Sequence, residues 1–439
     1  MRLSFEEYDA NLLHKLNEFI PSAGSDDSIT GTVSKILFDV RTNGDDAVIE
    51  KTLLYDGVSL KPNQLHVSKE QLDDSLDSLS SAQRKALDDA ISNVSHFHQQ
   101  SFPENWLKPN HHGGLVGERY YPIKRVGIYV PGGQAPLVST VIMTVALAKV
   151  AKVPEIVVVT PPGESGEIHA PLLAALKLLE VEEVYKIGGA QAIGAIAYGT
   201  KSILPVDKIF GPGNAYVNEA KRQVFGQVGI DLLPGPSEVM VIADESAQPH
   251  LISAALLAQA EHGSGKEKIY FLFQNQDLFQ PVVQELDKQL DELSHAHAIR
   301  GVLENGFMAI HLPSKEKISE IANFIAPEHL ELQASDKNCE FYLSAITTAG
   351  AFLVGHQTAT SLGDFAAGPS HVLPTGRSSR FSSGLRLHDF FRRSSVIRYD
   401  QESCRIAAPI IDEFSAMEKL DGHGKAHQLR LARQSLFDK

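Results

Sequence analysis

The chain of 439 residues is 43% hydrophobic and 21% charged, carries a formal net charge of −14 and contains two cysteines. One core does not serve that length, so two or more domains are expected, and the negative balance excludes general nucleic-acid binding, which needs a basic face. Cys339 and Cys404 can build neither a disulfide framework nor a thiolate zinc site. No apolar run is long enough for a bilayer and residues 1–7 lack a signal-peptide core, so a soluble cytoplasmic protein without membrane contact is expected.

In chain order, the first hundred residues read as helices. Ser68-Lys69-Glu70-Gln71 has the form of a capping box ahead of Leu72, Leu76 and Leu79. Leu87, Ile91, Val94 and Phe97 make a second core stripe at helical spacing. From Arg125 short apolar strands alternate with helices: 125–130 ends at Pro131-Gly132-Gly133, 156–159 at Pro161-Pro162, and 184–187 at Gly188-Gly189. After Gly235-Pro236 the alternation resumes with strands at 239–242, 269–273, 308–312 and 351–354. Continuous apolar strands separated by helices predict parallel α/β layers, in two units with junctions near Pro131 and Pro234. From Arg386 the chain reads as an arm plus helices. Arg377, Arg380, Arg386, Arg392, Arg393 and Arg398 crowd a Ser-rich stretch, read as a loop or subunit interface carrying solvated charge.

Familiar catalytic templates fail: there is no G-x-G-x-x-G, no complete phosphate loop, no nucleophile elbow and no H-E-x-x-H. What remains is a set of glycine- and proline-framed loops bearing polar groups. Tyr129 before Pro131-Gly132-Gly133, Gln191 after Gly188-Gly189, and Asn214 after Gly211-Pro212-Gly213 stand on successive strand ends. Ligands of open α/β sheets bind outside carboxyl ends of strands, so these three suggest a dinucleotide or other phosphate ligand. Gln259 and His262 are spaced to leave one face of a helix's last turn together, before Gly263. Alone, such a pair is ordinarily a core amide beside a surface histidine. Glu328-His329 follows a proline and can supply a base and a water-activating carboxylate from one loop. Asp364 with His371, and Asp421 with His423, offer carboxylate and imidazole in glycine-flanked loops. A zinc or manganese site of two histidines, one aspartate and one amide oxygen is chemically reasonable, although sequence separation alone does not establish it.

Taken in order, Arg125-Val126-Gly127-Ile128-Tyr129-Val130-Pro131-Gly132-Gly133, Gly188-Gly189-Ala190-Gln191, Phe210-Gly211-Pro212-Gly213-Asn214, Gly235-Pro236-Ser237-Glu238-Val239, Gln259-Ala260-Glu261-His262, Pro327-Glu328-His329-Leu330 and His371-Val372-Leu373-Pro374-Thr375 closely resemble the histidinol dehydrogenase family, from about residue 25 onward. The resemblance implies two Rossmann-like α/β domains: a catalytic one from residues 25–131 and 236–384, and an NAD-binding one from 132–235. A helical segment, 1–24, would precede them, and a C-terminal arm, 385–439, would be exchanged within a homodimer. It implies oxidation of L-histidinol through the aldehyde to L-histidine, the last steps of histidine biosynthesis, with NAD and Zn2+ as cofactors. Zinc would be held by Gln259, His262, Asp364 and His423, the last donated by the partner subunit. His329 would be the base and Glu328 its acid/base companion. Ser237, His371 and Glu418 would contact substrate alongside His329 and the metal ligands. Tyr129, Gln191 and Asn214 would hold the dinucleotide. Three places depart from the family's usual form: Thr360 stands where glutamate is usual, Ser370 where asparagine is usual, and Gly263-Ser264-Gly265-Lys266 follows His262. A family paralogue acting on another amino or polyhydroxy alcohol is therefore the alternative. A metallohydrolase and a non-catalytic dimeric scaffold are the competing classes.

Overall fold

The computed structural model describes residues 3–20, 27–132, 137–262 and 265–432; Gly133, Gly263, Ser264 and residues 21–24, which carry parts of the sequence expectations, lie outside them. Strands run at Ser4–Glu7 (β1), Trp106–Pro109 (β2), Leu115–Pro122 (β3), Arg125–Tyr129 (β4), Glu155–Thr160 (β5), Glu183–Lys186 (β6) and Lys208–Phe210 (β7). They continue at Gly229–Ile230 (β8), Glu238–Ala243 (β9), Lys268–Phe273 (β10), Phe307–His311 (β11), His329–Gln333 (β12), Ala351–Val354 (β13) and Phe391–Arg398 (β14). The chain divides into a larger unit, Met1–Gln100 with Ile123–Phe390, and a smaller one, Ser101–Pro122 with Phe391–Lys439.

The larger unit holds two parallel sheets, ordered β6-β5-β4-β7-β8 and β1-β11-β10-β9-β12-β13. Setting β1 aside, each sheet places its third, second, first, fourth and fifth strands side by side. The order therefore reverses once in each, between β4 and β7 and between β9 and β12. This is the α/β architecture expected from the alternating pattern. Strands β4 and β9 are buried along their whole length, which is why they read as continuous apolar runs.

The sheets divide the sequence differently from the expected boundaries. Strand β4 and helices Asp27–Asn43 and Asp45–Asp56, expected with the catalytic half, build the five-stranded half. Val33, Ile36, Leu37 and Val40 share a core with Ile193, Ile196, Val217 and Val224. Their apolar stripe has no signature of which sheet it serves, so only packing decides. Residues 1–24 were expected to be helical, yet Ser4–Glu7 pairs with β11 as an edge strand before helix Leu12–Phe19. Phe5 lies against Phe273 and Phe279, with ring centroids 6.1 and 4.8 Å away, and that contact favours the strand.

Local signals held where capping chemistry was strong. Ser68 accepts from the Gln71 N–H at 3.2 Å while Gln71 Oε1 receives the Ser68 N–H at 3.0 Å. That helix, Lys69–Asp74, tightens into a 3-10 turn at Ser75–Ser78, so Leu76 and Leu79 fall outside it. The following helix, Ser81–Gln99, buries only Val94 and His98. Its Leu87, expected as core, instead lines an apolar groove of about 640 Å³ with Ala90, Ile142, Met143 and Phe365.

In the smaller unit β14 pairs antiparallel with β3 over eight residues, and β3 with β2. Arg392, Arg393 and Arg398, expected in a loop or subunit interface, therefore belong to a strand. Arg393 pairs with Glu118, and the Arg392 guanidinium sits 4.7 Å from the Tyr121 ring centroid. Charge on a strand's exposed face hides it from an apolar-pattern reading. Helix Gln401–Glu418 leaves Ile406, Ile410, Phe414 and Met417 between 48% and 66% exposed, an uncovered apolar stripe at helical spacing. Among the described residues no helix is long and apolar enough to cross a membrane.

Candidate active site

The first polar constellation lies where the five-stranded sheet reverses, the place at which open α/β sheets present a crevice. A cavity of about 710 Å³ there is lined by Tyr129, Pro161, Gln191, Asn214, Tyr55 and Asp56, among others. Tyr129 closes β4, and its buried hydroxyl accepts the Gly189 N–H at 3.2 Å. Burial pushes that phenol up to about 12. Gly189, with φ +63°, starts the helix that carries Gln191. Gly211 has φ +106°, and a Cβ there would sit 2.1 Å from the Tyr129 carbonyl oxygen, so only glycine permits this approach of β4 to the next loop. Lys221 and Asp231 lock that loop as a buried ion pair. Lys221 Nζ donates to the Gly211 and Leu232 carbonyls at 2.9 and 2.8 Å, and Asp231 Oδ2 accepts the Gly211 N–H at 2.7 Å.

Two of the three expected cofactor residues stand differently from the third. Gln191 is 1% exposed, and among the described residues neither atom of its amide has a hydrogen-bond partner. Asn214 is engaged structurally: its Oδ1 caps helix Ala215–Val224 by accepting the Tyr216 and Val217 N–H groups at 3.0 and 3.1 Å. Asp56, which the sequence reading passed over, also lines the cavity. Its only local signal was an Asp-Gly step at a helix end, which reads as a turn.

The second constellation gathers at the amino ends of β9 and β12, opposite to the carboxyl-end rule used for the first. Helices returning from carboxyl ends finish at amino ends, so Gln259 in the last turn of Pro249–Ala260 and Asp364 in Thr360–Phe365 are delivered there. Helix Pro249–Ala260 stops two residues short of His262, which follows in a turn and is exposed. His329 opens β12, buried to 6% exposure, with Nδ1 3.7 Å from Glu328 Oε2 and Nε2 3.6 Å from Asp364 Oδ1. His371 Nδ1 lies 3.2 Å from the Asp364 carbonyl and 4.0 Å from its carboxylate. Its Nε2 is 3.4 Å from Thr140 Oγ1, a helix residue that the sequence reading missed. Ser237 is half-buried immediately before β9.

The electrostatics follow from burial and crowding. Burial pushes Glu328 up to about 7, although His329 pulls it down. Burial works to lower His329, but Glu328 and Asp364 outweigh it and raise it to about 9. Burial works to raise Asp364, yet His329, His371 and His262 together hold it below the usual carboxylate range. That influence also places His262 within electrostatic reach of Asp364. Glu238, whose N–H donates to Glu328 Oε2 at 2.7 Å, is pushed up to about 8 by burial and by the Glu328 charge.

Gln259 is 2% exposed, and among the described residues both atoms of its amide lack a hydrogen-bond partner. Such a group costs free energy unless a ligand or ion completes it. Among the described residues no group of three or more His, Cys, Asp and Glu side chains is placed to hold a metal. The expected donor set contains an amide, and the larger unit supplies only His262 and Asp364 of those types. Glu418 ends helix Gln401–Glu418 and His423 lies in Asp421–Ala432, both exposed, in the smaller unit.

The positions noted as departures also have partners. Thr360 donates its hydroxyl and N–H to Glu331 Oε2 at 3.1 and 3.3 Å, and Gln333 donates to Glu331 Oε1. Glu331 is buried on the strand face that carries His329. Ser370 donates to the Met143 carbonyl at 2.8 Å.

Comparison with known proteins bears directly on this arrangement. The family model described as histidinol dehydrogenase matches residues 21–431. A histidinol dehydrogenase of Aromatoleum aromaticum is 42% identical over 409 residues, covering 93% of this chain and 92% of that protein. One of Rhizobium meliloti is 40% identical over 406 residues, with 92% of each covered. The crystal structure of histidinol dehydrogenase from Elizabethkingia anophelis superposes with a TM-score of 0.92 at 33% identity, covering 98% of both chains.

Proposed function

Because the chain belongs to the histidinol dehydrogenase family and is an oxidoreductase, we propose that it oxidises L-histidinol through L-histidinal to L-histidine in two NAD⁺-linked steps. These are the closing steps of histidine biosynthesis, carried out by a cytoplasmic zinc-dependent homodimer. The observation that carries this reading is the buried Glu328–His329 pair beside Asp364 and the partnerless Gln259 amide.

His329 takes the hydroxyl proton of the substrate carbinol, and NAD⁺, when bound, would supply the hydride acceptor. The resulting aldehyde must add water before a second hydride can leave, and Glu328, near neutrality, activates that water. His371, Ser237 and Glu418 hold the substrate. Tyr129, Gln191 and Asn214 hold the dinucleotide, with Gln191 offering an amide that has no other partner.

Gln259, His262, Asp364 and His423 of the partner subunit would hold zinc, for which the orphaned amide and the nearby carboxylate are fitting donors. Bound there, zinc would orient the substrate's amine and imidazole and relieve the Asp364 charge that raises His329. Two uncovered surfaces support a second copy: the apolar groove flanking Phe365, and the Ile406–Met417 stripe.

Glu331 bears on how the Asp364 helix is held. Thr360 has no carboxylate of its own, but one lies 3.1 Å from its hydroxyl, supplied from β12. It anchors the helix that carries Asp364, since Glu331 accepts the Thr360 N–H. Glu331→Gln should weaken zinc binding about tenfold, the scale seen for groups that orient metal ligands. Competition with a chromophoric chelator would measure this, and unchanged affinity would remove Glu331 from the role.

The reading itself is tested by adding L-histidinol and NAD⁺ to the zinc-loaded protein. NADH should form at twice the amount of L-histidinol consumed. No NADH with L-histidinol, but turnover of another amino alcohol, would favour the paralogue.

A further inference from the structure

We infer that Asp56 selects the cofactor: its carboxylate receives a ribose hydroxyl of the adenosine half and rejects a dinucleotide carrying a 2′-phosphate. This rests on the NAD⁺ reading above and goes beyond it to the residue that sets nucleotide choice.

Asp56 breaks three local rules at once. It ends helix Asp45–Asp56, where the helix dipole opposes a negative charge. One carboxylate oxygen is buried and has no hydrogen-bond partner. Burial alone pushes the group up to about 6, and among the described residues no cation offsets the cost. A carboxylate kept under such conditions is destabilising unless something outside the chain donates to it.

The surroundings say what that donor is. Asp56 lines the 710 Å³ cavity together with Gln191, whose amide is likewise unpartnered, so several unsatisfied polar atoms belong to one cavity. The Asp56 charge also acts on the Tyr129 phenol, which places it near the end of β4. Among the described residues lining the cavity none is lysine or arginine, whereas Asp56 and Glu164 are both carboxylates. A vicinal diol supplies hydroxyl donors and suits this acceptor. A ribose phosphorylated at the 2′ position replaces a donor with two negative charges and finds no cation there.

The test is calorimetric titration of the full-length protein and of Asp56→Asn with NAD⁺, NADP⁺, ADP-ribose and 2′-phospho-ADP-ribose. The unmodified protein should prefer each unphosphorylated ligand by about tenfold or more, the scale of a charge-assisted hydrogen bond. Asp56→Asn should lose about tenfold in affinity for NAD⁺ and ADP-ribose and narrow both ratios. Its unfolding temperature should not fall, because an uncompensated buried charge has been removed; Asp56→Ser serves if the amide disturbs folding. Tight NAD⁺ binding with ratios unchanged by either substitution would overturn the assignment alone. Failure of the unmodified protein to bind any of the four would overturn the NAD⁺ reading and this inference with it.

Discussion

Replacing His329 with asparagine should lower turnover roughly 10²- to 10⁴-fold, the range for loss of a positioned general base, while leaving the zinc content unchanged. Asparagine keeps a polar group of similar reach but cannot accept a proton at neutral pH. The side chain is buried between Glu328 and Asp364, and its Nδ1 faces the Glu238 carbonyl at 3.3 Å, so the ring is held on both sides. It is not among the expected metal donors, which separates the two outcomes. Turnover measured with NADH absorbance and metal measured by elemental analysis would be read together. Loss of zinc along with activity would make His329 a structural support, and unaltered turnover would assign the base elsewhere.

Mixing two inactive variants should restore activity. If His423 reaches the neighbouring subunit's site, His329→Asn and His423→Ala are each dead as homodimers. A mixed dimer then has one site with both lesions and one with neither. Random reassortment should therefore recover roughly a quarter of unmodified activity, as expected when a two-fold interface shares its sites. The uncovered stripe of Ile406, Ile410, Phe414 and Met417 leads along the chain towards His423, which gives the exchange a physical basis. No recovery after denaturation and joint refolding, with dimers demonstrably mixed, would confine each site to one chain.

What the sequence disclosed follows from the reach of the forces involved. Strands such as β9 and β10 announce themselves because, past their first residues Glu238 and Lys268, both faces are buried and the run is apolar or aromatic. The capping box at Ser68 is visible because its chemistry spans four residues. Charge-bearing β14 and short β7 carry no such pattern, and depend on partners far along the chain. Site residues were legible as loops with polar side chains, and the family pattern supplied their roles.

Their electrostatics were not legible. The elevation of His329 comes from Glu328 beside it and from Asp364, which is thirty-five residues away in sequence yet 3.6 Å from the ring. The placement of the candidate catalytic cluster at amino ends of strands was missed for a related reason. It arises from helices returning antiparallel to the sheet, which the carboxyl-end rule leaves out. Asp56 and Thr140 were invisible because nothing nearby in sequence hints at what they face.

Anomalous diffraction at the zinc edge, from crystals of the metal-loaded dimer, reaches furthest into this account. One peak per subunit should lie at bonding distance from Gln259, His262, Asp364 and His423 of the partner subunit, with His329 close by but uncoordinated. A peak ligated by other side chains, or no peak in protein that turns over L-histidinol, would contradict it.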